Sequence, residues 1–305
     1  MTERGRFAPS PTGELHLGNA RTALLAWLWA RSEGGQFLMR VEDLDRPRVR
    51  AGLAQRQLEE LAWLGLDWDQ PPLYQSQRGA LYEEAIEKLR AGGHVYQCFC
   101  SRAEIAAASA PHAGEETRYP GTCARLSRGE QDERRRLREP SLRLRVPAGP
   151  VEFADQILGP QRFDPQAEVG DFVLQRADGI HAYQLAVVVD DAASGVTQVL
   201  RGADLLSSTA RQILLYRLLA LPVPQFAHAP LVLGPSGERL SKRDRALSLS
   251  ALKAAGADPR HLIAQLASIS GLPTQPLGCT PAALVATFAP GHIPRGPALV
   301  PAAVP

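Results

Sequence analysis

The residues Arg6-Phe7-Ala8-Pro9-Ser10-Pro11-Thr12-Gly13-Glu14-Leu15-His16-Leu17-Gly18-Asn19 place a turn-rich segment directly ahead of an apolar run with helical spacing. A helix amino terminus offers unpaired N–H groups and a favourable dipole to a phosphate. At that junction His16 could add a hydrogen bond to a phosphoryl oxygen, and Gly18 would let an adenine ring approach the backbone. A plain helix cap is the other role open to His16. Far along the chain, Arg239-Leu240-Ser241-Lys242-Arg243 follows Gly234-Pro235-Ser236-Gly237. A glycine-bounded loop with a cationic cluster can close over a triphosphate and set the Lys242 ammonium against the charge that develops as pyrophosphate leaves. Read alone, such a cluster is equally a solvated turn. A third group is Cys98-Phe99-Cys100 with Cys123. The first two are too tightly spaced for an easy disulfide, but two such thiolates can grip one tetrahedral zinc from a single turn, with Cys123 as a third ligand. A fourth ligand is needed, with His112 a chemically easier choice than a tyrosine and water also open, and three reduced cysteines packed as small hydrophobes are the alternative to any metal.

These groups need a scaffold, and the chain supplies an alternating one. Gly5 to Ala8 reads as a short buried strand, Ala20 to Ala30 as a helix, Gln36 to Val41 as a strand, and Ala51 to Leu64 and Leu81 to Leu89 as helices. Strand and helix in this order predict a parallel sheet with covering helices. From Cys98 the pattern breaks into an insertion, and Ser141 to Val146 with parts of Val151 to Phe163 and of Phe172 to Val189, where turn signals such as Ala177-Asp178-Gly179 intervene, read best as antiparallel strands. Helices return at Leu205 to Leu219 and Leu249 to Ile269, with a short strand at Leu231 to Leu233. From Leu272 onward eight prolines and a single charged side chain, Arg295, predict an irregular or disordered tail.

Composition narrows the class. A length of 305 residues suits two domains and perhaps a small third module. With 45% hydrophobic and 22% charged residues, wholly disordered, collagen-like and coiled-coil readings fall away. No basic-then-apolar start and no run of roughly 18 apolar residues is present, so neither a secretory signal nor a membrane span is expected, and the cytoplasm is the expected compartment. Clustered cysteines in a reducing compartment favour a metal site over a disulfide framework. A net charge of +2 does not by itself name a nucleic-acid partner. The eight arginines from Arg125 to Arg145, against four acids, could track RNA phosphates or form a solvated helix.

Read together and in order, His16-Leu17-Gly18-Asn19 and Arg239-Leu240-Ser241-Lys242-Arg243 resemble the HIGH and KMSKS signatures of the class I aminoacyl-tRNA synthetases. Arg6-Phe7-Ala8-Pro9-Ser10-Pro11-Thr12-Gly13 resembles their glutamyl/glutaminyl subgroup. Asn19 stands where the HIGH consensus has its last histidine, and Arg239 and Leu240 stand where KMSKS has Lys-Met. The resemblance runs from about Arg6 to Leu249 and includes Val41-Glu42-Asp43-Leu44-Asp45 and Val199-Leu200-Arg201-Gly202-Ala203-Asp204-Leu205. It implies an α/β fold with a Rossmann-like parallel sheet, an inserted zinc-containing α+β subdomain, and no anticodon-binding domain. The implied layout is a first catalytic half over 1–97, the insertion over 98–190, a second half with the KMSKS-like loop over 191–247, a helical region over 248–271 and the tail over 272–305.

The same resemblance implies residue roles. Arg6, Phe7, Ala8, Pro9 and Ser10 would line an amino-acid site in which Glu42 holds the α-ammonium and Tyr183 and Arg201 reach the bound amino acid. Glutamate carries one cation and two carboxylates, so an acid and arginines are the groups it needs. His16, Gly18, Asn19, Arg239, Leu240, Ser241, Lys242 and Arg243 would hold ATP, with no side chain acting as a nucleophile and with Mg2+ sharing the phosphate charge. Tyr119 is the fourth ligand implied for a structural zinc with Cys98, Cys100 and Cys123. The short region after Arg243 makes the nearest resemblance the truncated paralogues of glutamyl-tRNA synthetase, the glutamyl-queuosine tRNA(Asp) synthetases. Their implied partners are L-glutamate, ATP and queuosine-containing tRNA(Asp), with no obligate protein partner and no membrane. A compact synthetase that charges a terminal ribose and a noncatalytic tRNA-binding paralogue are the alternatives.

Overall fold

The computed structural model describes residues 2–109, 118–234, 248–274 and 278–299. The chain opens as Arg4–Phe7 (β1), Leu17–Ser32 (α1), Gln36–Val41 (β2), Leu53–Trp63 (α2), Leu73–Tyr74 (β3) and Gly79–Ala91 (α3). Helix α1 is apolar around its circumference, with Leu24, Leu25, Leu28 and Trp29 all buried. That pattern marks a helix covered on more than one side. Gly5 is needed where β1 meets it, because a Cβ there would lie 2.9 Å from the Ala30 Cβ.

Next come Val95–Cys98 (β4), Arg102–Ser109 (α4), Arg128–Arg135 (α5), Ser141–Leu144 (β5), Val151–Asp155 (β6), Gly159–Phe163 (β7), Pro165–Glu168 (α6) and Val173–Gln175 (β8). Tyr183–Ala193 (α7), Gln198–Gly202 (β9), Leu206–Leu218 (α8), Gln225–Ala229 (β10), Val232–Leu233 (β11), Leu249–Ala254 (α9), Pro259–Ser268 (α10), Pro281–Leu284 (α11) and Ala298–Leu299 (β12) complete it. The main sheet runs β3-β2-β1-β9-β10-β6-β7, parallel throughout except for the β6–β7 hairpin at its edge. From β1 the chain moves outward to β2 and β3, then returns to the other flank of β1 as β9. A parallel sheet opens a crevice at the carboxyl ends of its strands at such a reversal.

Strands β4, β5 and β8 form a separate antiparallel sheet beside the cysteines. The region read as one insertion over 98–190 therefore contributes to two layers, since β6 and β7 extend the main sheet. Within it, β8 is the strand expected in part of Phe172 to Val189, and the rest of that range is not strand. Residues 183–193 are helical, although Val187, Val188 and Val189 favour strands. A short continuous apolar run does not distinguish a buried strand from a buried helix, and burial of Leu185 to Asp191 on all sides overrides the local preference.

The tail also differs from its expected irregularity. Leu284, Phe288, Ile293 and Ala298 are buried in the same core as α1, and β12 pairs in parallel with β11. Its prolines start helical turns: Pro281 and Pro290 each stand at the first turn of a short helix, where a missing N–H costs nothing. No helix among the described residues is long and apolar enough to cross a membrane.

Candidate active site

A cleft of about 620 Å3 lies at the carboxyl ends of β1, β9 and β10. It is bounded by Arg6 to Ser10, by the start of α1 at His16, Gly18 and Asn19, and by Glu42, Tyr183 and Arg201. Every described residue expected to bind the amino acid or the nucleotide therefore meets in one cavity. Arg239, Leu240, Ser241, Lys242 and Arg243 lie outside the described residues, as does His112. The turn ahead of α1 is held by Gln57, whose buried amide donates to the Ser10 and Gly13 carbonyls at 3.2 and 2.8 Å.

His16 is the N-cap of α1. The Gly18 and Asn19 amides donate to its Nδ1 at 3.1 and 3.3 Å, and its own amide donates to the Asn19 Oδ1 at 3.1 Å. Histidine and asparagine thus form a reciprocal capping box. Because Nδ1 accepts, the neutral ring carries its proton on Nε2, which is a donor. A Cβ on Gly18 would sit 3.0 Å from two His16 ring atoms, so the close approach that this glycine allows is first of all that of the His16 ring.

Around the floor of the cleft two buried guanidiniums share one buried carboxylate. Arg6 donates to both oxygens of Asp191, at 3.2 Å each, and Arg40 donates to Asp191 and, at 3.1 Å, to Glu42. Burial alone would raise Asp191, but Arg40 and Arg6 hold it below the usual carboxylate range. Glu42 goes the other way: burial raises it and Arg40 only partly offsets that. Burial likewise raises the Tyr183 phenol at the cleft wall.

Arg201 differs from the other two arginines. Its Nε donates to His228 Nε2 at 3.1 Å and its Nη2 to Thr209 Oγ1 at 2.8 Å, while Nη1 is buried with no partner among the described residues. It makes no ion pair among them either. A buried guanidinium of a residue that borders the cleft, with its charge not offset at contact among the described residues, is suited to an anionic group of a ligand.

The cysteines form a second cluster. The sulfurs of Cys98, Cys100 and Cys123 lie within 4.8 Å of one another, and the Tyr119 hydroxyl is 3.3 Å from Cys98 Sγ and 3.8 Å from Cys100 Sγ. Cys100 and Cys123 are 3.5 Å apart. Zinc–sulfur bonds of about 2.3 Å in a tetrahedron require edges of roughly 3.8 Å, so the three sulfurs are close enough to hold a metal ion together. Burial and the neighbouring Cys123 and Cys98 push the Cys100 thiol up to about 12, and burial with Cys98 alongside raises the Tyr119 phenol. A divalent cation favours loss of those protons. Arg143 lies 3.9 Å over the Tyr119 ring.

Several site residues escaped the sequence reading: Arg40, Asp191, Thr209, His228 and Asp155. A signal existed for one of them. Asp190-Asp191 interrupts the apolar run of α7, and buried acids require partners. His228 and Asp155 carry no such local mark, being 73 residues apart in sequence.

Residues 3–275 match the family described as tRNA synthetases class I (E and Q), catalytic domain. The chain belongs to this family of ligases, which use ATP. A protein of Symbiobacterium thermophilum named glutamyl-Q tRNA(Asp) synthetase is 54% identical, the alignment covering 98% of this chain and 96% of that protein. One of the same name from Nocardia farcinica is 54% identical over 96% of this chain and 91% of its own. A glutamate tRNA ligase from Elizabethkingia meningosepticum, solved in complex with its amino acid, superposes with a TM-score of 0.87 at 27% identity, covering 99% of this chain and 68% of that one.

Proposed function

We propose that this chain activates L-glutamate with ATP, without tRNA, and transfers the glutamyl group to the queuosine base at the wobble position of tRNA(Asp). The observation that carries the amino-acid half is the cleft's charge pattern: Glu42 for an α-ammonium and, bordering the same cavity, Arg201, whose buried Nη1 has no hydrogen-bond partner among the described residues, for a side-chain carboxylate. The acceptor half is supported by relatives named glutamyl-Q tRNA(Asp) synthetase that match nearly end to end.

The chemistry needs no side-chain nucleophile. The glutamate α-carboxylate attacks the α-phosphorus of ATP, a P–O bond forms, and the bond to the leaving pyrophosphate breaks. The residues of Arg6 to Ser10 and Tyr183 fix the amino acid, and His16 donates from Nε2 to a phosphoryl oxygen as charge builds. By the family resemblance, Gly18 and Asn19 would lie beside the nucleotide, and Arg239, Leu240, Ser241, Lys242 and Arg243 would supply charge to the phosphates, which Mg2+ would share. Transfer to the base then releases AMP. Cys98, Cys100, Tyr119 and Cys123 would hold one zinc, whose role would be structural because protein atoms would fill all four places. A cytoplasmic setting suits both the thiolates and the tRNA substrate.

The test is direct. Glutamate-dependent exchange of pyrophosphate into ATP should proceed without RNA. Radiolabelled glutamate should then attach to queuosine-containing tRNA(Asp), map to the anticodon fragment after nuclease digestion, and not attach to tRNA(Asp) carrying guanosine there. Labelling of tRNA(Glu) at its terminal ribose, with none on queuosine-containing tRNA(Asp), would defeat the reading.

A further inference from the structure

We infer that His228, held by Asp155, is a positioning residue that aims the Arg201 guanidinium into the cleft while leaving its positive charge intact, and so sets the preference for an acidic over a neutral amino-acid side chain. This rests on the glutamate reading above and deepens it.

The three residues stand on three adjacent strands. His228 of β10 is the registered parallel neighbour of Arg201 of β9, and Asp155 ends β6 on the other side of β10, paired through Phe226. One assignment satisfies every donor and acceptor around His228, with the Thr209 hydroxyl, which accepts from Arg201 Nη2 and lies 3.1 Å from His228 Nε2, donating its own proton to that nitrogen. Asp155 accepts the backbone amides of Ile157, Leu158 and His228 at 3.0, 2.8 and 3.1 Å, all on Oδ1, and its Oδ2 faces His228 Nδ1 at 2.5 Å. A carboxylate so supplied with donors stays ionised, and those hydrogen bonds keep Asp155 below the usual range although burial would raise it. Being an acceptor only, it requires the proton of His228 on Nδ1. The Nε2 lone pair is then the acceptor that Arg201 Nε–H needs, since arginine can only donate. Burial, and the charge of Arg201, lower His228 and favour this neutral form. An imidazolium would instead set N–H against N–H.

The consequence concerns charge. Asp191 contacts Arg6 and Arg40 directly, which offsets their charge where it stands. In the Arg201 arm an uncharged ring separates the carboxylate from the guanidinium. Orientation is transmitted through two hydrogen bonds, and Thr209 fixes the second edge. What faces the cleft is a cation without a contacting counter-ion among the described residues, which favours a carboxylate over a carboxamide.

The experiment compares Asp155→Asn, His228→Leu and His228→Gln in glutamate-dependent and glutamine-dependent pyrophosphate exchange. In Asp155→Asn the new side-chain amide would donate to His228 Nδ1 and move the ring proton to Nε2, against Arg201. For Asp155→Asn and His228→Leu the KM for glutamate should rise about 10- to 100-fold, the usual worth of a misaimed charge-assisted contact, with the KM for ATP within about twofold. The glutamate-over-glutamine ratio of kcat/KM should fall with it. His228→Gln, whose amide oxygen can take the place of Nε2, should restore most of the loss. The inference is overturned if the KM values for glutamate and ATP move together, if neither moves, or if His228→Gln is as impaired as His228→Leu. A second measurement needs no variant: 15N spectra of histidine-labelled protein should show one ring that stays neutral with its proton on Nδ1 from about pH 5.5 to about pH 8, and an Nε2–H or imidazolium signal for His228 overturns the relay. Wild-type protein without glutamate-dependent exchange would sink the parent reading instead, whatever the ring signal.

Discussion

Replacing Asp191 by asparagine tests the charge network under the cleft. Asp191 is 1% exposed and receives two hydrogen bonds of 3.2 Å from Arg6 and another from Arg40, both also buried. In the native cluster two guanidiniums meet two carboxylates, Asp191 and Glu42. The variant leaves a net buried positive charge. Removing one partner of a buried pair costs about 3–5 kcal/mol, and two or three charged hydrogen bonds at about 1.5–3 kcal/mol each give a similar figure before relaxation. The pH dependence has a definite sign. Because the carboxyl of Asp191 is held below its ordinary value, its contribution is complete above the usual carboxylate range and is lost as pH falls through the depressed value. Urea denaturation followed by circular dichroism should show a lower midpoint with an unchanged slope at neutral pH, and a gap from wild type that narrows in acid. A loss under about 1 kcal/mol at neutral pH, or a gap that widens on acidification, would refute the account.

Two further outcomes are expected. Protein purified with metal available should hold close to one zinc per chain by elemental analysis; Cys100→Ser should lose it, because a hydroxyl is a far poorer zinc ligand than a thiolate, and a chelator should lower the melting temperature of wild type toward that of the variant. Burial and the nearby Glu14 raise Glu60 to about 7, so folding favours its protonated form and the group costs stability as pH rises from the unfolded value toward 7 and above. Glu60→Gln should therefore stabilise the protein at about pH 8 by something on the order of 1–3 kcal/mol and have little effect near pH 4, which paired urea titrations would check.

How much of this was legible in the chain depended on how local each signal is. The β1–α1 junction and the strand Gln36–Val41 could be read because turn residues, apolar period and caps all sit within a few positions. The Cys98-Phe99-Cys100 pair was legible for the same reason, whereas Cys123, 23 residues beyond Cys100, could be joined to it only because cysteines are so few in the chain. Helix α7 was not, because its valines favour a strand locally while the layers on both sides of it decide its form. The tail misled through composition: prolines that begin turns against a core look like prolines that prevent one. Asp155, His228 and Arg201 meet only because β6, β10 and β9 are neighbours in the sheet. No periodicity along the chain encodes that adjacency.

The cap that His16 makes also fixes which ring nitrogen carries its proton. A histidine is an unusual N-cap, since serine, threonine, aspartate and asparagine provide an acceptor with less bulk. Here the cap gives the ring something those residues lack. Once Gly18 and Asn19 donate to Nδ1, the neutral imidazole has a single tautomer, and its N–H is on Nε2. Asn19, at the position where the family pattern has a second histidine, closes the box from the other side by accepting the His16 amide. The departure at that position therefore keeps a hydrogen-bonding role, and it lies on the face of α1 that lines the cleft. Preorganisation of a donor is worth most where charge develops in the reaction, because nothing need reorient at that moment. On the proposed reading, the same three hydrogen bonds that start the first helix would prepare its first turn to meet a phosphate.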